Sequence, residues 1–427
     1  MEKLLEQAKR VSEQAEVYES KVEEHSVTME NGKLQDIESK YLTIINLRII
    51  KDGKLGFAYG CDFTQRQDLL HNALKFLYGG IEAPYKFPCS QALPEFNTYD
   101  PAIETINSRD MSAECDRIFD YLSSRTTAEI NIYATTRSEK IRILNSHNTD
   151  LFDRSSSYTV DCEVVYPGSA ASMWRTFSSK RFEEIPVPLT HELSQLYSLS
   201  VPVVQPSSDK MQILFMPNSL DTINWRIMNA TNAESIYKKF SPLTNKLEQK
   251  IFDQQVTVYD DPNNDLYPRA RAFDDEGVAC APLTIVENGI LKNFYNNLFF
   301  AQKLDMPATG HGYKADQSRK PYPTLSHMHL KPGKKSFKAL VAAIKRGIIL
   351  EYAMGLHCGN IAHGDFSVGI GTGLFVENGI IVGRVKDAMV AGNIYETLNQ
   401  VIHIEDRFHL GSQMPAILCD GVSVSIK

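Results

Sequence analysis

The chain has 427 residues, of which 43% are hydrophobic and 23% are charged, and its formal net charge is −7. This composition is typical of a soluble globular protein with room for two or three domains. The negative charge argues against a nucleic-acid-binding surface, which normally carries a basic excess. No run of about 18 apolar residues predicts a membrane span, and seven scattered cysteines favour a reduced, cytoplasmic location.

The first half of the chain predicts helices that flank antiparallel meanders. An amphipathic helix at 1–14 lacks the apolar core of a signal peptide. Strands follow it and turn at Asn31-Gly32 and Asp52-Gly53, because these dipeptides favour two-residue type I′ turns. The other elements expected here are helices at 67–77 and 111–122 and strands at 128–134, 140–144 and 157–165.

The second half begins after a proline- and serine-rich break at 202–210. A buried strand is expected next, followed by a helix that Asn218 and Ser219 cap. Asn288-Gly289 and Asn378-Gly379 predict two more hairpins, the first of them between strands at 283–286 and 290–295. The other elements expected here are helices at 297–304 and 336–346 and strands at 366–369, 402–404, 416–419 and 422–426.

The order of these elements indicates an α+β fold class with two regions. Residues 1–205 form an N-terminal α/β part with antiparallel meanders and flanking helices, in two subregions at 1–100 and 105–205. Residues 206–427 form a C-terminal domain that is largely antiparallel β-sheet with a few helices. Helices and strands do not alternate regularly, so a parallel βαβ series is not expected.

The sequence contains the dipeptide His191-Glu192, but no zinc-hydrolase motif surrounds it. Such a motif needs a second histidine one helical turn later, so that two imidazoles share a face and the carboxylate acts as a base. Gln195 and Leu196 occupy the two positions where that histidine would lie. We therefore interpret this segment as a surface helix capped by Thr190.

The densest group of potential metal ligands is His357, Cys358, His363 and Asp365. Their side-chain types suit a metal such as zinc. However, adjacent residues on an extended strand point to opposite faces, so His357 and Cys358 would hardly share one ion. A polar turn is the ordinary explanation, and an independent metal-dependent hydrolase that uses these four residues is an alternative hypothesis.

Two further histidines, His327 and His329, have period-two spacing and could face one side of a strand. A polar strand edge is the simpler interpretation of this pair. His311 lies in a glycine-marked loop and completes the set of candidates.

Several motifs, taken in order, resemble the TldD/PmbA family. Three short segments at 15–18, 30–34 and 47–56 match it near the N-terminus. The main motifs are Arg-Ala-Phe-Asp-Asp-Glu-Gly at 271–277, Ile-Val-Glu-Asn-Gly-Ile-Leu-Lys at 285–292, His-Gly-Asp-Phe-Ser-Val-Gly at 363–369, Val-Glu-Asn-Gly at 376–379 and Ala-Gly-Asn at 391–393. The resemblance is specific over 15–60 and 210–425 and is loose over 85–205.

This resemblance implies a cytoplasmic α+β protein connected with proteolysis. The family was first described through a proposed modulation of DNA gyrase. It is now associated with antitoxin turnover and with maturation of a ribosomally made peptide antibiotic. Two paralogous types pair: the TldD type binds zinc through a His-Glu-x-x-x-His helix and a distant cysteine. The PmbA type, also called TldE, lacks this motif and completes the peptide channel.

This chain resembles the PmbA type, because the equivalent helix at 218–231 contains no histidine. Ile223 and Ile227 are expected to face inward on this helix, beside Trp225. Without imidazoles to bind a metal and a glutamate to act as a base, this helix cannot activate a water molecule for attack on a peptide bond. The histidines and cysteine at 357, 358 and 363 depart from the family pattern, and no catalytic, cofactor-binding or metal-binding residue carries over.

The leading hypothesis is a non-catalytic subunit of a TldD-type zinc metallopeptidase that acts on unfolded or extended peptides. It would form a dimer, with itself or with a TldD-like chain, and would present a sheet edge to the peptide. Zinc is expected in the partner, and no cofactor is expected in this chain. A third hypothesis is a gyrase-binding protein without a role in proteolysis. Direct contact with nucleic acid or membrane is not expected.

Overall fold

The computed structural model describes residues 1–268, 270–316 and 319–426. Arg269, which forms a basic pair with Arg271 in the sequence, lies outside these ranges. Within them, every helix is too short or too polar to cross a membrane. All seven cysteines lie inside the described ranges and are free thiols.

A six-stranded antiparallel sheet forms the N-terminal half of the molecule. Its strands are β1 (Gln14–Glu30), β2 (Lys33–Lys51), β3 (Lys54–Gly60), β4 (Glu129–Asn145), β5 (Asp150–Val165) and β6 (Ser172–Ser179). The helices beside it are α1 (Glu2–Lys9), α2 (Arg66–Phe76), α3 (Ser108–Ser123) and α4 (Val187–Leu199). The sheet order is β3-β2-β1-β4-β5-β6, so β3 and β6 are its edges.

The predicted hairpins of this half are confirmed. Asn31-Gly32 joins β1 to β2, and Asp52-Gly53 joins β2 to β3. All four turn residues have positive φ, which the type I′ turn requires at both of its central positions. Local turn chemistry therefore sets the register of three consecutive strands.

The sequence predicted two strands, at 128–134 and 140–144, but the structure has one continuous strand there, β4, so this prediction is wrong. The polar residues between them hide the strand from a search for alternating apolar positions. In the structure these charges are compensated within the sheet, since Arg137 pairs with Glu24 of β1 at 3.1 Å and with Glu139 at 3.1 Å.

The C-terminal half contains a second large sheet and shorter ribbons. Its strands are β7 (Val203–Val204), β8 (Asp209–Phe215), β9 (Val258–Asp260), β10 (Leu283–Glu287), β11 (Ile290–Leu291), β12 (Gly312–Tyr313), β13 (Tyr322–Pro323), β14 (Met328–Leu330), β15 (Arg346–Met354), β16 (Asp365–Glu377), β17 (Ile380–Val385), β18 (Ala388–Asn393), β19 (Val401–Ile404) and β20 (Ile417–Ile426). Its helices are α5 (Asp221–Thr231), α6 (Ala233–Tyr237), α7 (Leu298–Lys303), α8 (Phe337–Ala343) and α9 (Ile394–Thr397).

The large sheet has the order β15-β8-β20-β18-β16-β17-β7, with β19 beside β20. β16 pairs with β15 as well as with β18, so five of these strands form a closed ring of pairings. The β15–β8 and β17–β7 pairs are parallel, and the other pairings in the sheet are antiparallel. The predicted α+β class with a largely antiparallel C-terminal part is confirmed.

The helix expected at 336–346 is too long, and the strand β15 was missed. α8 ends at Ala343, and β15 begins at Arg346. An apolar run of this length suits a buried helix or a buried strand equally well. Pairing with β8 and β16 makes this run a strand. Gly347 permits the close approach to β8, because a Cβ there would lie 2.2 Å from the carbonyl oxygen of Gln212.

Two smaller predictions in this half are also wrong. The strand expected at 290–295 is only the two residues of β11. α5 has no side-chain cap from Asn218 or Ser219. Instead, the Ser219 hydroxyl donates to the carbonyl of Met216 at 2.9 Å, and the Asn218 amide donates to the carbonyl of Trp174 at 3.2 Å.

The two large sheets share a hydrophobic core. One continuous cluster of buried side chains contains Tyr158 and Val160 of β5 together with Leu214 of β8, Ile349 of β15 and Leu374 of β16. Apolar packing therefore continues across the break near residue 205. The division of the chain into domains at 1–205 and 206–427 stays a prediction.

Candidate functional site

Helix α5 lies within residues 218–231, the segment that corresponds to the zinc-binding helix expected from the resemblance but contains no histidine. It packs into the core. Ile223 and Ile227 are buried, as expected, while Trp225 is 38% exposed. Arg226, which sequence reasoning passed over, has no exposed surface at all. A completely buried arginine is unusual, because a charged group leaves water at a high cost unless polar partners surround it.

Arg226 fastens α5 to the loop between β15 and β16. Its Nε donates to the carbonyl of Asp365 at 2.7 Å, and its Nη2 donates to the carbonyls of Cys358 at 2.8 Å and Leu356 at 3.2 Å. Its Nη1 donates to the carbonyl of Thr222 at 2.7 Å. Burial holds the pKa of Arg226 below its usual value, although the nearby Asp365 opposes this effect.

The four candidate metal ligands lie in this loop, and all four are exposed. The carboxylate of Asp365 accepts a hydrogen bond from the Asn393 amide at 2.8 Å. Across the described ranges, no three His, Cys, Asp or Glu side chains form a group that could hold a metal ion. The structure thus places His357, Cys358 and His363 in the same loop as Asp365 without bringing them together as ligands.

The acidic motif Asp274-Asp275-Glu276 is buried at the junction of the two halves. Asp274 accepts hydrogen bonds from the backbone N–H groups of Glu276 and Val278, both at 2.9 Å, and of Gly312 at 2.8 Å. Burial, together with the neighbouring Glu276, raises the pKa of Asp274 to about 8. This carboxyl group therefore shapes its own loop.

Asp275 connects the motif to β1 of the N-terminal sheet. Its Oδ1 accepts from Arg271 at 2.7 Å and from the hydroxyl of Tyr18 at 3.2 Å. The Lys314 ammonium lies 3.0 Å from the centre of the Tyr18 ring and donates to the amide oxygen of Asn46 at 2.5 Å. Burial lowers the pKa of Lys314 to about 7.

Glu276 connects the motif to β2. Its Oε1 accepts from Nη1 of Arg48 at 2.9 Å, and its Oε2 accepts from the N–H of Leu298 at the start of α7 at 2.7 Å. Arg48 also binds Glu16 of β1, with Nη2 2.7 Å from the carboxylate. We call the side chains of Glu16, Arg48, Arg271, Asp275, Glu276 and Lys314 the ion cluster.

A polar cavity of about 480 Å³ opens beside the ion cluster. Arg137 and Glu139 of β4 and Asp153 of β5 line one side of it, and Arg271 and Lys314 line another. Burial raises the pKa of Asp153, although Arg271 opposes this. Because the cavity presents charges of both signs, it can satisfy both N–H and C=O groups of a bound chain.

Models of known protein families match the C-terminal half and part of the N-terminal half. The model of the PmbA/TldA metallopeptidase C-terminal domain matches residues 208–426, just over half of the chain, and that of PmbA/TldA metallopeptidase domain 1 matches residues 15–75. The chain belongs to the PmbA/TldD metallopeptidase family. The resemblance drawn from the motifs is thereby confirmed.

Individual PmbA/TldD proteins match over most of their length. A metalloprotease of Methanothermobacter thermautotrophicus is 24% identical over 90% of this chain and 86% of its own. A PmbA homologue of Buchnera aphidicola is 23% identical over 93% and 89%, and TldD homologues match shorter parts. TldE of Thermococcus kodakarensis has the same fold, with a TM-score of 0.90, 20% identity and coverage of 100% and 99%.

The zinc centre of metallopeptidases does not fit α5 of this PmbA/TldD protein. Zinc requires lone pairs from imidazole, thiolate or carboxylate groups. The helix offers one carboxylate, Asp221 in its first turn, and no imidazole or thiol. The buried side chain that reaches the neighbouring loop is the guanidinium of Arg226, which has five N–H donors and no acceptor.

The helix expected at His191-Glu192 is present and His191 is exposed, but the cap by Thr190 is wrong and Glu192 does not face solvent. α4 begins at Val187, and Thr190 lies buried within it. Glu192 points into a charged network, where it accepts from Arg175 at 2.9 Å. Arg175 also pairs with Glu351 of β15 at 3.1 Å, so the network links the two halves a second time.

His409 completes this network and is almost completely buried. Its Nε2 lies 2.9 Å from Glu192, and its Nδ1 lies 3.0 Å from Glu405. Burial alone would lower the pKa of His409, but the hydrogen bonds to these two carboxylates raise it to about 9. Sequence reasoning missed this site, because its members are far apart in the chain and form no motif.

His409→Gln is expected to lower the free energy of unfolding by about 2–3 kcal/mol below pH 6.5. A raised histidine pKa stabilises the fold below the unfolded value of 6.5, and this contribution is lost as the pH rises through about 9. Urea unfolding of both proteins from pH 6 to pH 9.5 would measure the difference. If the free energies of unfolding of the two proteins differed by the same amount at every pH in this range, a protonated His409 would be contradicted.

The polar-edge interpretation of His327 and His329 is correct in part, because β14 is an edge strand, but the edge is not an exposed polar one at His329. His329 is buried and packs between aromatic rings, with ring centres 5.1 Å from Tyr259 and 5.3 Å from Phe408. The ring of His327 stacks on Tyr267 at 6.3 Å. His329 is therefore part of the core packing, whereas His327 is half-buried and lines the polar cavity.

His311 is likewise buried, with its Nε2 3.3 Å from the carboxylate of Asp260. Its Nδ1 lies 3.0 Å from the hydroxyl of Thr309. All three histidines therefore have structural surroundings that the sequence pattern did not reveal.

Proposed function

We propose that this chain is a non-catalytic, PmbA-type subunit that presents extended peptides to a TldD-type zinc peptidase in the cytoplasm. The observation that carries this proposal is Arg226. A guanidinium group fastens the family's zinc-binding helix to the neighbouring loop, so that the position is closed to a metal ion by a fixed positive charge. Haemophilus influenzae has both a PmbA homologue and a TldD homologue among the relatives, which supports a pair made of one subunit of each type.

The outer edge of β2 supports association with a second subunit. Residues 33–44 pair with β1 on one side, whereas β3 begins to pair only at Ile45. Leu34, Ile37 and Tyr41 are 50%, 49% and 69% exposed along this edge. An open edge with apolar side chains is a template for pairing with another chain, so we assign it to the contact with the partner subunit.

The polar cavity supports peptide binding over nucleic-acid binding. Asp153 and Glu139 line it together with Arg271 and Lys314, so its charge is mixed. A surface for phosphates would carry an excess of positive charge. Mixed donors and acceptors suit the alternating amide and carbonyl groups of a peptide backbone.

Co-expression with a TldD-type paralogue from the same genome tests the proposal. The two chains should co-purify, and only the complex should cleave an unfolded, fluorescently labelled peptide. Ile37→Lys should weaken the association at least tenfold, because it places a charge on the paired edge. Phe152→Lys is the matched control, since Phe152 is exposed on β5 away from this edge.

Two results would overturn the proposal. Peptide cleavage by the isolated chain with stoichiometric zinc, abolished by His363→Ala, would establish the independent hydrolase. Capture of gyrase by the chain, with no peptidase partner retained and no cleavage by any combination, would establish the gyrase-binding protein.

A further inference from the structure

A second cavity, of about 570 Å³, lies between the N-terminal sheet and α7. Its volume falls within the range that binds small ligands or large side chains. Unlike the polar cavity, it is lined mainly by aromatic and aliphatic side chains from both halves of the chain, among them Leu55, Phe57, Phe76, Tyr85, Phe299 and Phe300. We call it the aromatic cavity.

Most charged groups at the wall of the aromatic cavity are already paired. Glu82 pairs with Lys303, Glu234 with Lys238 and Arg319 with Asp316, whereas Lys320 is exposed to solvent. Arg48 and Glu276 line it, but Arg48 binds both Glu16 and Glu276, and Glu276 also accepts from the backbone of Leu298. A charged ligand would have to break these contacts in a region of low dielectric. The cavity therefore favours an uncharged, apolar occupant.

The edge strand β3 runs beside this cavity. Lys51 and Lys54 flank a two-residue turn and form a backbone hydrogen-bonded pair. Because the direction alternates along a strand, every second residue of β3 from Leu55 onward directs its N–H and C=O groups away from β2. Leu55 confirms this direction, because its N–H donates to the carbonyl of Ile81 at 2.8 Å. By the same alternation, the N–H and C=O groups of Phe57 and Tyr59 point outward.

No further strand covers β3 at Phe57 and Tyr59 within the described part of the chain. Tyr59 is 58% exposed, so the edge is accessible to solvent there. A chain that paired with this edge would place the residue opposite Phe57 on the same face as the Phe57 ring. That face is the one that lines the aromatic cavity.

We propose that the aromatic cavity binds a large apolar side chain, aromatic or branched, of an extended peptide that pairs with β3 at Phe57 and Tyr59. This inference rests on the proposed function only in taking a peptide as the ligand. The proposal means that this chain selects peptides that carry a large apolar side chain. The main-chain pairing supplies affinity, and the cavity supplies preference among side chains.

Fluorescence anisotropy with two labelled probe peptides tests the inference on the isolated full chain. The probes are acetyl-Ser-Thr-Ser-Phe-Ser-Thr-Ser-amide and the same peptide with serine in place of phenylalanine. The phenylalanine probe should bind at least tenfold more tightly, because it buries an aromatic ring. Equal affinities of the two probes, or no binding of either, would overturn the proposal.

Phe57→Ser should remove this preference, while Phe152→Ser, which changes an exposed phenylalanine on β5, should preserve it. Because Phe57→Ser can also weaken the fold, crosslinking of the wild-type protein provides a second measurement. A probe with benzoylphenylalanine at the central position should label residues 55–85, 297–300 or 319–322. Labelling of the polar cavity at 137–155 instead would overturn the assignment.

A small apolar molecule is the competing occupant. The uncharged dye N-phenyl-1-naphthylamine should bind the cavity and be displaced by the phenylalanine probe. Dye binding that the probe leaves unchanged would overturn the peptide assignment. These outcomes do not depend on the cleavage assay with the partner, so the inference can fail while the proposed subunit function stands.

Discussion

Arg48→Met is expected to lower the free energy of unfolding by about 3–5 kcal/mol, because it leaves two buried carboxylates without their cation. Glu16 and Glu276 are each about 1% exposed, and Arg48 lies 2.7 Å from the first and 2.9 Å from the second. Burial already raises the pKa of Glu16 even with Arg48 present. Removal of one partner from a buried ion pair costs far more than the pair contributes as a whole.

Chemical denaturation of the wild type and the variant at pH 7 measures this effect. Arg142→Met is the matched control, since Arg142 pairs with Glu2 and Asp150 at the surface and should change stability by less than about 1 kcal/mol. Adding Glu16→Gln to Arg48→Met should recover part of the loss. Equal stability of Arg48→Met and Arg142→Met would show that the ion cluster does not hold the halves together.

Arg226→Met is expected to destabilise the protein by about 3 kcal/mol, at the upper end of the usual range for a single substitution, because four carbonyls lose a charged donor while methionine retains part of the apolar packing. Three of those carbonyls belong to the loop between β15 and β16. Hydrogen exchange in this loop should therefore accelerate more than exchange elsewhere. Mass spectrometry of deuterated peptides would localise the change.

Arg181→Met is the control for this second prediction, since Arg181 is an exposed residue paired with Glu183. Arg226→Lys should lie between the wild type and Arg226→Met, because an ammonium group keeps the charge but cannot reproduce the planar fork. Uniformly increased exchange across the whole chain in Arg226→Met would contradict a local fastening role.

The sequence predicted the parts of the fold that depend on local chemistry. The hairpins at Asn31-Gly32, Asp52-Gly53 and Asn378-Gly379 are present with the positive φ values that their turns need. It failed where tertiary contacts decide the conformation. β15 is a strand because β8 and β16 pair with it on either side, and an apolar run carries no record of that pairing.

In the candidate site too, the sequence revealed the residues of a motif but not the roles that depend on distant contacts. The motif around Asp274 and Asp275 was visible as a family signature, but its role as a buried junction depends on Tyr18 and Arg48 far away in the chain. The absence of histidine from α5 could be read directly. The presence of a buried arginine at position 226 could not be interpreted, because an arginine in a helix is usually a solvated surface residue.

Arg226 also limits how a metal centre could be built on α5. Grafting two imidazoles and a carboxylate onto α5 would leave a permanent cation beside the new ligands, and that cation would repel a divalent ion. Loss of the arginine alone would release the loop and weaken the fold. A zinc centre on α5 would therefore require several simultaneous changes, so single substitutions are not expected to create one.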